Sequence, residues 1–178
     1  VEVLAPQGLK AARVLLVGMG KGEDFNTGSA ERLGASVVAR LYTSGTAAIG
    51  FAIDAPKGSK FKPGALAAHL AMGAKLRSYG FLHYRTKARD EYESTIKSVT
   101  IGTRDTAAAK KMWTAMDAVA DSVFLARDLI NTPPNVLYPA TFAARAKQLS
   151  KRGLKVEVLG EAEMKKLGMG SLLGVGQG

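Results

Sequence analysis

Apolar positions along this chain of 178 residues switch repeatedly between short continuous runs and helical spacing. Arg13-Val-Leu-Leu-Val17 is a short apolar run stopped by Gly18, and its valines and glycine stop predict a buried strand. Asn26-Thr27 can cap a helix running to about Leu41. Thr46 to Ile53 reads as a second strand, closed by Asp54-Ala-Pro56. Pro63 suits the first turn of a helix reaching Tyr79, in which Leu66, Leu70, Gly73 and Leu76 follow helical spacing. Ile96 to Ile101 is a third strand, with Gly102 behind it.

The longest helix begins at a cap on Asp105 or Thr106 and runs to Ile130. Met112, Met116, Val119, Val123 and Ile130 share one broad face, with Trp113 and Ala120 beside them. Asn131-Thr-Pro-Pro-Asn135 must stop it, because two prolines remove two donors and force extended backbone before them. Pro139 opens another helix to about Arg152, ended by Gly153. Leu154 to Leu159 reads as a strand, and a short helix over Glu161 to Leu167 precedes Gly168-Met-Gly170. This alternation predicts an α/β fold with a mostly parallel or mixed sheet covered on both faces. The Pro-Pro segment is the one clear hinge, which sets a boundary near residue 131.

Composition narrows the classes. The apolar fraction of 47% and charged fraction of 22% are ordinary globular usage, enough for one domain, or one plus part of another. The absence of cysteine excludes disulfides, thiolate metal sites and cysteine nucleophiles. The opening Val1-Glu-Val-Leu4 has neither a basic region nor a long apolar region, so it is not read as a signal peptide. No apolar run approaches the roughly 20 residues of a membrane helix.

The net charge of +10 raises nucleic acid as a partner. The densest basic groups are Lys57, Lys60 and Lys62, then Arg85, Lys87 and Arg89. Neither is a run of five or six consecutive charges, so solvated basic faces explain them equally simply.

Reactive constellations are missing. Gly18-Met-Gly20-Lys-Gly22 follows a strand, but Glu23 stands where the dinucleotide fingerprint needs its third glycine, and no P-loop Ser or Thr follows the lysine. His69 and His83, the only histidines, have no neighbouring carboxylate cluster and do not make a zinc site. Asp90-Glu-Tyr-Glu93 reads as a solvated loop neutralised by the basic residues before it. Ser59, Ser78 and Ser171 lack a nucleophile elbow. No catalytic residue and no metal ligand is therefore named.

Two stretches are specific. One is Gly64-Ala-Leu-Ala-Ala-His-Leu-Ala-Met-Gly-Ala-Lys-Leu-Arg-Ser-Tyr79, continuing to Phe81 and Tyr84-Arg-Thr-Lys87. The other is Ala126-Arg-Asp-Leu-Ile-Asn-Thr-Pro-Pro-Asn135, continuing to Leu167-Gly-Met-Gly-Ser-Leu-Leu-Gly-Val-Gly-Gln-Gly178. With them the chain resembles the leucyl aminopeptidase (cytosol aminopeptidase) family of two-metal exopeptidases.

The resemblance implies an α/β accessory domain over residues 1–104, macro-like, with a mixed sheet flanked by helices. It implies a linker helix over 105–130 and the start of a second α/β domain, the metallopeptidase domain, over 131–178. It also implies a cytoplasmic hexamer acting on peptides with two zinc or manganese ions, and catalytic residues lying beyond Gly178. Some members of the family contact DNA. Tyr138 departs from the family's helix-capping Thr, so the next helix should be less well capped, by about 1 kcal/mol. The alternative is a stand-alone nucleotide- or DNA-binding α/β module using the basic surface.

Overall fold

The computed structural model describes residues 1–87 and 89–177. Ala88, the terminal Gly178 of the Val-Gly-Gln-Gly run and the side chain of Asp90 lie outside the described residues. The chain divides into two units, Val1–Asp128 and Leu129–Gly178.

The first unit is built on two helices, α1 (Thr27–Leu41) and α2 (Pro63–Ser78). Asn26 caps α1 as expected: its backbone is extended and its side-chain oxygen accepts from the Ser29 N–H at 3.1 Å. Pro63 opens α2 after an extended Lys62. The helices touch through glycine. A Cβ on Gly34 would overlap the Leu70 carbonyl, and one on Gly73 would overlap the Glu31 carbonyl.

That approach closes two apolar clusters. Val37, Val38, Leu41, Ile49 and Ala74 form one, with Leu15, Tyr42, Phe51 and Ile96 against it. Phe25, Ala30 and Leu66 form the other, flanked by Met19, Ile53 and Phe61. Leu66 and Leu70 are wholly enclosed, as their helical spacing predicts.

The strands pair in both senses. β1 (Glu2–Leu4) runs antiparallel to β2 (Arg13–Leu15), with Val3 opposite Val14. β3 (Ala48–Ala52) runs parallel to β4 (Ser98–Gly102), with Gly50 opposite Thr100. The α/β class is as expected, whereas the described strands form two separate two-stranded sheets, one antiparallel and one parallel, in place of a single mixed sheet. Cover is one-sided on β3: Ile49 is buried and Phe51 half-buried, whereas Ala48, Gly50 and Ala52 are exposed. Burial of the first apolar run stops early, since Leu16 and Val17 are exposed beyond β2. A four-residue helix, α3 (Arg89–Tyr92), forms where a loop was expected.

The long helix α4 runs unbroken from Thr106 to Asn131. Asp105 caps it by accepting from the Ala108 N–H at 3.0 Å. Its contact edge is rotated from the broad apolar face read in the sequence. Val119 is 53% and Met112 40% exposed, whereas Ala120 is fully buried and Trp113 half-buried. Trp113, Asp117, Ala120, Phe124 and Arg127 mark the inner edge, because polar partners on α2 select it.

In the second unit Pro133 accepts from the N–H groups of Val136 and Leu137, and α5 (Pro139–Gln148) follows. Tyr138 gives α5 no side-chain cap, as expected, but Thr141 accepts from the Tyr138 N–H at 2.9 Å. A tight 3-10 turn over Leu149–Arg152 ends at Gly153, whose φ of +88° needs glycine.

Leu154 to Leu159 is not a strand, because no partner strand pairs with it among the described residues. α6 (Glu161–Lys166) forms where expected, and α7 (Gly170–Gly176) forms where none was read. No apolar side chain described in this unit is buried.

Gly73→Ala is expected to destabilise the first unit by about 3 kcal/mol or more, because backbone rather than a flexible side chain opposes the new methyl. Urea denaturation followed by far-UV circular dichroism measures it, and an unchanged midpoint contradicts the α1–α2 contact.

Candidate functional site

The glycine-rich turn after β2 borders an open cleft of about 370 Å³, lined by Gly18, Met19, Gly20, Phe25, Arg32 and Ser36 among others. The first-turn donor at Ser29 is already occupied by the Asn26 cap, and Arg32 donates to the Ser29 hydroxyl at 3.2 Å. Gly22 has a structural reason to be glycine: a Cβ there would overlap the Lys57 carbonyl. The turn is thus a packing device against the 57–59 loop, consistent with its missing phosphate-loop residues.

The two histidines take different places. His69 is half-buried on α2, its Nδ1 lies 2.9 Å from a Glu31 carboxylate oxygen, and Phe61 meets its ring edge-on. It ties α2 to α1. His83 is exposed and stacks edge-on against Tyr84. Among the described residues no group of three or more His, Cys, Asp and Glu side chains converges to hold a metal ion.

The six basic candidates are all exposed, in two segments at opposite ends of α2. Lys57, Lys60 and Lys62 precede the helix, whose 16 residues span about 24 Å. Arg85, Lys87 and Arg89 come after it. Two of this second group are engaged locally: Arg85 lies over the Tyr92 ring at 3.7 Å, and Arg89 pairs with Glu93 at 3.5 Å. Acidic and aromatic neighbours thus draw on the cations that a phosphate backbone would need.

The best-organised polar cluster was missed in the sequence. Lys75, near the end of α2, donates to Asp117 at 2.5 Å and to Asp121 at 2.6 Å, both on α4. Its ammonium also sits about 6 Å from the ring centres of Trp113 and Phe124. Desolvation by burial works to lower the Lys75 pKa, but the hydrogen bonds and charges of the two carboxylates outweigh it and raise the pKa. The contribution is therefore fully present below about pH 10.4, the unfolded lysine value, and is lost as pH rises through the higher folded value. The only sequence signal for this cluster is the spacing of Asp117 and Asp121, one turn apart within an otherwise uncharged stretch.

Comparison with known proteins gives a consistent picture. The model described as the cytosol aminopeptidase family, N-terminal domain, matches residues 1–88, and that family's catalytic-domain model matches residues 124–178. A probable cytosol aminopeptidase of Rhodopseudomonas palustris (strain BisA53) is 46% identical over 177 residues, covering 99% of this chain and 35% of the relative. One from Rhizobium rhizogenes is 45% identical over 182 residues, with 36% of the relative covered. The chain thus spans about a third of the length of the curated relatives it matches.

Among solved structures, a tomato leucine aminopeptidase variant aligns with a TM-score of 0.76 at 26% identity, over 94% of this chain and 33% of that one in the case of the tomato protein. The bottromycin maturation enzyme BotP in complex with Mn gives 0.76 at 25% identity, over 94% of this chain and 34% of BotP.

For the basic segments the expected outcome is weak, non-specific DNA binding. Gel shifts should show affinity weaker than about 1 μM at physiological salt, falling steeply between roughly 50 and 200 mM as counterion release fails. Sub-micromolar, sequence-selective binding at the higher salt contradicts this.

Proposed function

The chain belongs to the cytosol aminopeptidase family, and on that premise we propose that it is the amino-terminal portion of a dinuclear-metal leucyl aminopeptidase that removes amino-terminal residues from peptides. Residues 1–104 are the accessory α/β domain, 105–130 the linker helix and 131–178 the opening of the metallopeptidase domain. The whole protein is a cytoplasmic hexamer. The naming of its relatives supports the cytosol, and no described helix is long and apolar enough to cross a membrane.

One observation carries the reading. Residues matched by the catalytic-domain model bury no apolar side chain in the described unit, and Phe142, Leu154, Leu167, Leu172 and Val175 are all more than half exposed. A folded segment with apolar side chains on every element and no core is one layer of a larger core. The unpaired Leu154–Leu159 run fits the same reading, since its strand-like sequence needs neighbours for its backbone groups.

Two zinc or manganese ions belong to the proposed whole protein, and the manganese complex of BotP supports a metal in the family. The described residues do not fit such a centre, for want of a converging ligand set. No chemical step is therefore assigned to them. Their role is to fold, to position the following domain and to present surface for assembly.

The test compares two polypeptides. The 178-residue chain is expected to leave a leucine anilide unhydrolysed and to show no zinc or manganese site tighter than about 10 μM by calorimetry. The polypeptide continued by its downstream coding sequence is expected to hydrolyse the same substrate in a chelator-sensitive way. Hydrolysis by the short chain, or none by the longer metal-loaded one, overturns the proposal.

A further inference from the structure

α4 is attached to its unit by different forces from those that join α1 and α2. Val37, Val38, Leu41, Leu66, Leu70 and Ala74 are buried between the first two helices and the strands. On α4 the only buried residue is Ala120, and Met112, Val119 and Leu125 are exposed.

Much of what holds α4 to α2 is polar and arranged in parallel register, beside an apolar seam of buried Ala120, half-buried Trp113 and Phe124, whose ring lies 5.2 Å from that of Tyr79. Gly64 lets Ala108 approach at the start. Lys75 joins Asp117 and Asp121 in the middle. Arg127 donates to the Leu76 carbonyl at 2.8 Å and Tyr79 donates to Asp128 at 2.8 Å near the end.

We propose that Lys75, Asp117 and Asp121 form an ionic latch, and that opening it releases α4 from the first unit while the α1–α2 core stays folded. Asp117 and Asp121 are like charges four residues apart on one helix face and repel each other. Lys75 converts that repulsion into an attachment. Its side chain is 23% exposed, whereas the two aspartates are 42% and 49% exposed. The ammonium is sheltered enough to bind firmly, yet the carboxylates stay within reach of salt. α4 continues past Asp128, where the first unit ends, to Asn131, so the latch acts on the helix that leads into the second unit.

Hydrogen exchange on the 178-residue chain tests the latch, comparing Lys75→Met with wild type. Amides over residues 112–125 are expected to exchange roughly tenfold faster in the variant, while those over 34–41 and 66–74 keep their protection. Unchanged exchange in α4 overturns the proposal, as does an equal loss in α1 and α2, which would mark global unfolding.

If Lys75→Met fails to fold, wild type at about 0.05 and 1 M sodium chloride decides alone, since the Debye length falls to about 3 Å at the higher salt. Faster exchange confined to α4 supports the latch, and no change, or a change shared by α1 and α2, overturns it.

Discussion

Everything in the first unit depends on two backbones lying in contact. Gly34 on α1 and Gly73 on α2 each place a bare Cα against the carbonyl of the other helix. Helices usually keep 8–10 Å between axes because side chains intervene. Here glycine removes that spacer from both sides, so Val38 and Leu41 of α1 and Ala74 of α2 reach the same core as Ile49 of β3. The close approach also leaves α2 with little freedom to rotate. Its outer side, bearing Gly64, Lys75 and Tyr79, is thereby presented to α4. Two residues chosen for having no side chain thus set where the charged ones go.

The parts of this fold that were legible in the sequence are local. Asn26, Asp105, Pro63 and Pro139 mark helix starts because a cap or a proline acts within one turn. The Pro133-Pro134 stop is equally local. Strand pairing is not. The parallel partnership of β3 with β4 joins segments about fifty residues apart, and nothing in either run specifies the other.

The inner edge of α4 was misplaced for a related reason. Periodicity finds the apolar stripe, but the helix docks by an adjacent edge where Asp117, Asp121 and Arg127 meet groups on α2. Hydrophobic spacing carries no information about a lysine forty residues away. α7 was missed because three of its seven residues, Gly170, Gly174 and Gly176, are glycines of poor helix propensity.

The same distinction governs the candidate sites. The glycine-rich turn invites a phosphate reading because its motif is short and common, yet Gly22 is explained by the Lys57 carbonyl behind it. The histidine on α2 invites a metal reading, yet Glu31 and Phe61 occupy its faces. In both cases the residue type suits chemistry and the neighbours supply packing. Family motifs succeed where isolated residues do not, since Arg127-Asp-Leu-Ile-Asn-Thr-Pro-Pro-Asn135 combines a helix end, a stop and a specific order of polar groups.

The contrast between the two units also explains why the outward side of α4 is apolar. From residue 112 to 128 the charges are Asp117, Asp121, Arg127 and Asp128, and each meets a partner on α2 or at its end. That leaves Met112, Ala115, Ala118, Val119, Ser122 and Leu125 as an uncharged surface several turns long. A helical stretch whose charges are all committed inward gives water little to hydrate on the other side. Such a surface is stable where something covers it, and the second unit, taken by itself, likewise leaves apolar side chains uncovered. A lone accessory module would gain by placing lysine or glutamate at these positions, at almost no cost to helix propensity. Their absence, on a chain otherwise rich in lysine and arginine, is what the proposed burial of this stretch within a whole aminopeptidase would produce.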